Sequence, residues 1–413
     1  MVRLIVIVLF LCSLPIQASE IELGTSRDQA DVTVGCLFPL GGRGGLYGQD
    51  SAVGIQLAFE WLKQQKQDYP KLRVLITDSR SKASKAARLV RDFVRTEHAR
   101  FICGVVNSSI AIQVAEVAEQ EKVFFIGTDH ASSRLTGPNV SPYYFRVNNN
   151  TEQSMRAAAS YIKEKFGALV QERPLKISYL GPDYDYGYKA WSDLRQALEK
   201  EGVDYEIITA LWPRLYEPDY SHFLQALLEK PTDLVVNSLW GGDLVAFVQQ
   251  ANKTRLFEHA RFANFDAGGN YEVLAALGKD MPSGLILASR HHNNWPDTQY
   301  NRWFVDRFYQ LSGRYPSYAA EGAFSGIVAI AEVMREVGLD ASDYEIRQAL
   351  GHLKISLPED PEHFTSYMDP ESHQLQQVIA IGETTPNNNF PPAAQMLSNW
   401  RIYQLAPLHI EPE

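Results

Sequence analysis

The chain has 413 residues, of which 45% are hydrophobic and 21% are charged, and its 49 acidic and 39 basic residues give a formal net charge of −10. This length exceeds one ordinary core and fits about two domains, and the apolar content excludes a wholly disordered chain. The acidic balance argues against a nucleic-acid binder, which needs a basic face, and against a protein held by charge on an anionic membrane.

The N-terminal segment is typical of a secretory signal peptide. Arg3 precedes an almost unbroken apolar run from Leu4 to Leu14, and Ala18 offers a small residue for cleavage. The run is too short for a comfortable membrane span, although a retained anchor helix is the alternative. We predict a cleaved signal peptide at Met1 to Ala18 and a soluble exported chain that begins near Ser19.

The three cysteines bear on export and on redox state. Cys12 lies inside the apolar run rather than after it, so we predict no lipid attachment. Cys36 and Cys103 lie in two predicted strands, and they could pair in an oxidising compartment if those strands are neighbours. Direct bridging of adjacent strands strains the geometry, so the sequence favours two buried free thiols.

Strand-like and helix-like patterns alternate after a polar leader. The predicted elements of this first half are the strands Val32–Phe38, Leu72–Asp78, Phe101–Val106 and Val123–Gly127 and the helices Ser51–Lys66, Lys82–Arg95 and Ile110–Gln120. Strand and helix in turn at this spacing predict a parallel sheet with helices on both faces.

The same alternation restarts in the second half. Its predicted elements are the strands Leu175–Leu180, Tyr205–Thr209 and Leu234–Ser238, a strand that begins at Phe262, and the helices Tyr188–Glu201, Tyr220–Glu229 and Asp243–Ala251. We therefore predict an α/β protein of two doubly wound parallel-sheet lobes. The segment from Tyr143 to Thr151 is predicted to cross between them, and the tail from Glu359, rich in Pro and Asn, to be irregular.

Sequence motifs for a nucleotide cofactor, a metal or catalysis are missing. The glycine-rich loop after the first strand is followed by Asp78, as in a dinucleotide fold, but the third glycine of that motif would fall at Tyr47. The sequence contains no G-x-S-x-G, H-E-x-x-H or P-loop pattern. His291 and His292 are adjacent, and neighbouring residues on a strand face opposite ways, which disfavours joint metal ligation. We predict no cofactor, no metal and no enzymatic activity.

Polar and aromatic residues collect where the predicted strands end. In an open α/β sheet, ligands bind beyond the carboxyl ends of the strands. Ser108 follows the third strand and can offer a hydroxyl to an anion at a helix start, and Asp266 follows a strand of the second half. Two facing lobes could hold a small zwitterion, with its carboxylate at Ser108, its ammonium at Asp266 and its apolar part among aromatic residues. Each residue could equally cap a helix or pack the lobes.

Several short stretches together resemble a known family. They include Phe38–Gly42, Leu46–Asp50, Ser108–Ser109, Asp185–Gly187, Gly241–Asp243 and Phe265–Asp266. In their order and spacing they are similar to the type I periplasmic binding proteins of the branched-chain amino-acid and amide group, the receptors of ATP-driven importers. The similarity runs from about Val32 to Ala331.

The resemblance implies a set of ligand contacts. It places them at Tyr47, Ser108, His130, Ala131, Tyr186, Trp240 and Asp266, with Asp266 on the ligand's ammonium. Amino-acid binders of the family often carry a threonine where this chain has Ala131, and His130 replaces a small residue beside it. The ligand therefore does not follow from the resemblance, and an amino acid, an amide, an aromatic acid or another small carboxylate stays open.

The resemblance also implies two lobes joined by three crossings, which we expect at Arg146–Thr151, at Gly284–Arg290 and within Lys354–Glu383. The first lobe then holds residues 31–147 and 290–356, and the second holds residues 148–284 and about 360–405. We expect a periplasmic monomer that binds a small-molecule ligand and docks on an ABC permease. The alternatives are a sensor subunit that signals the ligand to a regulator and, from another class, an exported enzyme on the same scaffold.

Overall fold

The structure is a computed structural model that describes residues 20–137 and 140–407. The predicted signal peptide, Met1 to Ala18, the predicted start of the mature chain near Ser19, and Cys12 lie outside these residues. Among the helices of the described residues, none is both long enough and apolar enough to cross a membrane.

Helices and strands alternate along most of the chain. In chain order they are β1 (Glu20–Gly24), β2 (Val32–Phe38), α1 (Gly45–Gln64), β3 (Leu72–Asp78), α2 (Ala83–Arg95), β4 (Phe101–Gly104), α3 (Ser108–Glu121), β5 (Phe124–Gly127), β6 (Tyr144–Arg146), α4 (Thr151–Glu172), β7 (Leu175–Leu180), α5 (Asp185–Glu201), β8 (Tyr205–Leu211), α6 (Ser221–Glu229), β9 (Leu234–Asn237), α7 (Gly241–Ala251), α8 (Leu256–His259), β10 (Arg261–Asn264), α9 (Tyr271–Leu277), β11 (Ile286–Ala288), α10 (Gln299–Ser312), α11 (Tyr318–Val337), α12 (Asp343–Gly351), β12 (Lys354–Ile355), β13 (Ser366–Asp369), β14 (Gln374–Gln376), β15 (Val378–Pro386) and β16 (Gln395–Gln404).

The first lobe is built on a sheet that gathers nine of the described strands in the order β1-β3-β2-β4-β5-β6-β14-β13-β12. Its centre, from β3 to β6, is parallel. Alternate residues of β2 face opposite sides, so Val34 and Cys36 pack in a core with α1 and α11, whereas Leu37 packs in a core with α2 and α3. Because helices cover both faces, the central strands read as nearly continuous apolar runs.

The second lobe is built on a sheet of seven described strands in the order β16-β15-β11-β10-β9-β7-β8. The strands from β8 to β11 are parallel, and β15 and β16 add an antiparallel edge. Met155 of α4 and Leu194 of α5 pack on one face, and Phe247 of α7 and Leu274 of α9 pack on the other. The predicted α/β fold of two sheet lobes is confirmed.

Within the described residues the chain passes between the two sheets three times. The connections are residues 147–150 between β6 and α4, residues 289–298 between β11 and α10, and residue 377 between β14 and β15. The first and third are tied together, since Arg146 Nε donates to Gln374 Oε1 at 2.9 Å and Gln374 Nε2 donates to the backbone oxygen of Asn148 at 2.8 Å. These segments lie side by side, as a hinge requires.

The tail differs from its prediction. The sequence predicts an irregular tail from Glu359, with residues from about 360 in the second lobe. Instead, β13 and β14 pair with each other and with β12 and β6 in the first sheet, and β15 and β16 form a long antiparallel pair in the second. Three asparagines and two prolines lie in the connection between β15 and β16, at residues 387–392, whereas Pro386 ends β15 and Asn399 lies within β16.

The two cysteines of the first lobe are joined by a disulfide bond, so the prediction of free thiols is wrong. Cys36 of β2 and Cys103 of β4 are direct partners in adjacent parallel strands, and both are fully buried. Their Cα atoms lie 4.4 Å apart, at the short end of the range that a disulfide spans. The objection to bridging adjacent strands therefore does not hold for two cysteines in direct register.

Candidate functional site

A small cavity of about 10 Å³, which is room for about one water molecule, lies between the two lobes. Its lining residues are Val106, Ser108, Ala131, Tyr184, Tyr186, Trp240, Ala267, Arg290 and Tyr318. Most of them follow the carboxyl ends of β4, β5, β7, β9, β10 and β11, which is where ligands bind in open α/β sheets. A wider groove between α6 and α7, which includes Leu224 and Leu228, opens on the outer surface of the second lobe and draws on that lobe alone in its described lining.

Hydroxyl groups line the first-lobe side of the cavity. Ser108 is the first residue of α3, and its Oγ accepts a hydrogen bond from the backbone N–H of Ser132 at 3.2 Å. The cap of α3 is Asn107, whose side chain accepts from the N–H of Ile110, so the Ser108 hydroxyl does not cap this helix. Tyr318, the first residue of α11, adds a phenol.

Aromatic side chains form the second-lobe side. Trp240 Nε1 donates to the hydroxyl oxygen of Tyr184 at 3.1 Å, and the rings of Tyr184 and Tyr186 lie 5.9 Å apart. Burial raises the pKa of both tyrosines above the ordinary value, so both are neutral phenols. This wall can pack against a flat apolar group and still donate hydrogen bonds.

Four of the described helices begin at the cavity. Ser108 and Tyr318 are the first residues of α3 and α11, and Tyr184 and Trp240 immediately precede α5 and α7. The first N–H groups of a helix have no partner within the helix, and the helix dipole is positive at that end. The cavity therefore favours negative charge.

Arg290 brings a positive charge to the same place. Its side chain is 7% exposed, and Nη1 donates to the backbone oxygen of Asp129 in the first lobe. Its Nε and Nη2 lie 3.3 Å and 2.6 Å from Oδ1 and Oδ2 of Asp266 in the second lobe. The guanidinium carbon also lies 4.9 Å from the centre of the Tyr318 ring. Arg290 thus joins the two lobes through a two-pronged contact with a carboxylate.

This contact overturns the expectation for Asp266. The sequence predicts that Asp266 meets the ammonium of a ligand, but in the structure Arg290 is the positive partner of Asp266. Asp266 also accepts hydrogen bonds from Ser154 Oγ at 3.0 Å and from the Tyr186 hydroxyl at 2.6 Å. Burial raises the pKa of Asp266, but the charge of Arg290 and these hydrogen bonds outweigh burial and hold the pKa below its ordinary value.

Tyr47 closes the cleft rather than lining the cavity. Its ring lies 5.9 Å from that of Trp240 and 5.5 Å from that of Tyr318, and its hydroxyl lies 3.2 Å from Oε1 of Glu272 across the lobe boundary. Burial raises the pKa of Glu272 to about 7. Gly241 permits this approach, because a Cβ there would lie 2.5 Å from the Tyr47 hydroxyl oxygen.

His130 packs beneath the site and does not line the cavity. Its Nδ1 lies 2.8 Å from the backbone oxygen of Val105, and its Nε2 lies 2.7 Å from the Tyr144 hydroxyl. Burial lowers the pKa of His130 to about 3, so the ring is neutral. With both ring nitrogens engaged inside the first lobe, we leave His130 out of the proposed site.

The structure thus brings Ser108, Ala131, Tyr186 and Trp240 together around the cavity, with Asp266 directly behind Arg290. Arg290, Tyr184 and Tyr318 are lining residues that the sequence did not single out. The strand-end pattern that marked Ser108 also marks Arg290, which follows β11, and Tyr184, which follows β7. Tyr318 begins a helix that follows another helix, so no strand end signals it.

Comparison with known proteins shows the family to which the chain belongs. The sequence family described as periplasmic binding protein matches residues 31–389 of the chain. The chain belongs to the periplasmic binding protein family. The binding protein is 22% identical over 350 residues to the Leu/Ile/Val-binding protein homolog 7 of Brucella abortus (strain 2308), which covers 82% of this chain and 86% of that protein.

Solved structures share the fold of this binding protein. A solute binding protein of an ABC transporter from Rhodopseudomonas palustris BisB5, in complex with 3,4-dihydroxy benzoic acid, superposes with a TM-score of 0.77 at 20% identity, covering 90% of this chain and 97% of that chain. An amino acid ABC transporter substrate-binding protein from Pseudomonas fluorescens Pf-5 superposes with a TM-score of 0.77 at 19% identity, covering 91% and 96%. The two lobes are therefore those of a type I periplasmic binding protein.

Proposed function

We propose that the protein is the extracytoplasmic receptor of an ABC importer, which traps a small amino-acid-like or carboxylate solute between its lobes and presents the closed form to the permease. The observation that carries this proposal is the cavity between the lobes, lined from both sides at the strand ends. The membership of the chain in the periplasmic binding protein family supports it. The proposed ligand contacts are Ser108, Ala131, Tyr186 and Trp240, with Tyr47 closing the cleft.

We expect the lobes to close on the solute because each lobe supplies part of the cavity lining. A solute on Ser108 in an open molecule leaves Trp240 and Tyr186 uncovered, and it gains their contacts only when the lobes meet. Because the solute then interacts more strongly with the closed state, binding shifts the population toward closure. In this proposal the lobes rotate about the three segments that cross between the sheets. The importer can thereby distinguish a loaded receptor from an empty one.

The relatives do not determine which class of solute this chain binds. One relative is a Leu/Ile/Val-binding protein homolog, one structural neighbour serves amino acid transport, and another holds 3,4-dihydroxy benzoic acid. Both an α-amino acid and an aromatic acid therefore belong in a test of this chain.

A thermal-shift screen tests the receptor function. The panels are α-amino acids, amides, aliphatic and aromatic carboxylates, and neutral sugars as a class that the helix termini and Arg290 do not favour. A solute at about a hundred times its dissociation constant adds about 2.7 kcal/mol to the free energy of unfolding, which is easily detected. We expect a rise in melting temperature with one class of small solutes, confirmed by calorimetry. If no panel changes the melting temperature, the proposed function is wrong.

A further inference from the structure

The charge of the cavity lining is uneven. Of the described residues that line the cavity, Arg290 alone carries a charge, and none carries a carboxylate. A solute inside therefore meets a cation, phenol and serine hydroxyls, and the starts of four described helices. Arg290 and the helix starts favour negative charge and oppose positive charge, and the hydroxyls can donate hydrogen bonds to an anion.

The carboxylates near the cavity lie outside its described lining. Both oxygens of Asp266 are engaged by Arg290. Glu272 accepts a hydrogen bond from Tyr47 at the edge of the cleft and is not part of the lining. A buried ammonium without a carboxylate would be strongly unfavourable.

Asp129 carries the third carboxyl group near Arg290, and this group lies inside the first lobe. Asp129 Oδ1 lies 3.6 Å from the position that a Cβ on Gly322 of α11 would take, inside the first lobe, and Oδ2 accepts a hydrogen bond from Thr128 at 3.1 Å. Arg290 meets Asp129 through the backbone oxygen and not through the carboxyl group. Asp129 Oδ1 has no hydrogen-bond partner among the described residues, but Asp129 is not part of the cavity lining and meets Arg290 only through its backbone.

Hydrogen-bond donors remain available in the cavity. Ser108 Oγ acts as an acceptor from Ser132, and the Tyr184 hydroxyl acts as an acceptor from Trp240, so each retains its own hydrogen. The hydroxyl of Tyr318 has no hydrogen bond to any group in residues 20–137 and 140–407. Three hydroxyl donors beside an arginine match the oxygens of a carboxylate.

Resting on the proposed function, we propose that the solute is a small carboxylate with a flat apolar body and no ammonium group, and that Arg290 occupies the place where an ammonium would meet Asp266. The aromatic wall of Tyr184, Tyr186 and Trp240 receives the body. The cavity has room for about one water molecule, so a solute enters only when the lobes separate, and a small solute separates them least. Arg290 is then the residue that decides between an organic acid and an amino acid.

Matched pairs of probes test this directly by calorimetry. 3-Phenylpropanoate and phenylalanine differ by the α-ammonium group, as do phenylacetate and phenylglycine, and 4-methylpentanoate and leucine. We expect at least one acid to bind at least about 30-fold more tightly than its amino-acid partner, since one unpaired buried charge costs about 2 kcal/mol or more. 3-Phenylpropanamide, which is neutral, should bind more weakly than 3-phenylpropanoate, and benzenesulfonate tests whether another anion can replace the carboxylate.

The variant Arg290→Met removes the charge and keeps an apolar chain of similar length. We expect it to bind the acid more weakly and to shift the acid-to-amino-acid ratio toward the amino acid, because Asp266 is released. The variant Arg290→Met/Asp266→Asn remains neutral and should lose the acid without gaining the amino acid, which also serves if the single variant fails to fold. Arg134→Met is the matched control, since Arg134 lies 3.4 Å from Asp185 in another ion pair between the lobes, with its side chain 65% exposed.

The possible outcomes separate the inference from the proposed function. Tighter binding of the acids, lost in the double variant and kept in Arg134→Met, supports both. Binding of an amino acid as tight as that of its matched acid, or binding of solutes from another panel alone, overturns the inference and leaves the receptor function standing. Absence of binding by every panel of the thermal-shift screen overturns the proposed function itself.

Discussion

At the scale of single residues, buried carboxyl groups beside the third crossing have pKa values above their ordinary range. Glu321 of α11 is 1% exposed, and Glu359 lies within hydrogen-bonding reach of it. Gln377, the third crossing itself, donates to Glu359 Oε1. Burial raises the pKa of Glu321 to about 7 and raises that of Asp360 to about 6. A proton is thus retained in the folded protein at a pH where an exposed glutamate has lost it.

We expect Glu321→Gln to stabilise the protein relative to the wild type more at about pH 7.5 than at about pH 4.5. The folded pKa lies above the unfolded value of 4.5, so the wild type loses stability as the pH rises from about 4.5 to about 7, and glutamine, which does not titrate, avoids that loss. The measurement is the difference in melting temperature between variant and wild type across this range. Glu336→Gln, on the exposed face of the same helix, is the control, and a difference for Glu321→Gln that stays constant with pH would contradict the assignment.

Residues near the cavity were predictable from the sequence to the extent that strand ends mark them. Ser108, Tyr186 and Trp240 follow strands, and the structure places all three in the lining. The pairing of Arg290 with Asp266 was not predictable, because 24 residues and a complete helix and strand separate them. The absence of a basic neighbour in sequence therefore says little about the partners of a carboxylate at a strand end.

At the scale of elements, the turn into α7 sets how closely the lobes meet. Gly241 has a φ of 51°, in the left-handed region that favours glycine, and it leaves room for the hydroxyl of Tyr47 from the other lobe. The hydrogen bond between Tyr47 and Glu272 lies at the same contact. The start of α7 therefore limits how closely the two lobes can approach each other.

We expect Gly241→Ala to weaken solute binding, because the new methyl group would lie 2.5 Å from the Tyr47 hydroxyl oxygen and would hold the lobes apart. Overpacking of this kind costs about 1–3 kcal/mol, which calorimetry would record as reduced affinity. Gly242→Ala is the matched control, since a Cβ there has no atom within 4 Å among the described residues. In a Tyr47→Phe background the added methyl should cost less affinity, and an equal loss in both backgrounds would assign the effect to backbone strain instead.

The parallel strands and their helices were predictable because buried parallel strands are short apolar runs between amphipathic helices. The strand at Leu72–Asp78 was placed with its observed bounds, and the helix predicted from Ser51 begins earlier, at Gly45. Strand β1 was missed, because its alternating residues lie on an exposed antiparallel edge. The disulfide was missed because it depends on the register of β2 and β4, which only the assembled sheet fixes.

At the scale of the whole molecule, side-chain contacts cross between the two lobes. Arg290 bridges Asp129 and Asp266, and Tyr47 bridges to Glu272. The alternation of strands and helices was sufficient to predict two lobes. It was not sufficient to place the tail, whose strand β14 joins the first sheet beside β6 and whose strand β15 joins the second beside β11, with no helix between them. The last strands of the chain therefore lie in both lobes, on either side of the third crossing.

The central claim, that a solute is trapped between the lobes, is tested most directly by small-angle X-ray scattering with and without the strongest binder from the thermal-shift screen. We expect the radius of gyration to fall at saturating solute and the scattering curve to approach the one calculated from the structure described above, because closure brings the two sheets together about the three crossings. The same solute should leave the radius of Gly241→Ala closer to that of the unbound protein. An unchanged scattering curve at a concentration where calorimetry shows full occupancy would contradict the claim, since the solute would then bind without closing the lobes.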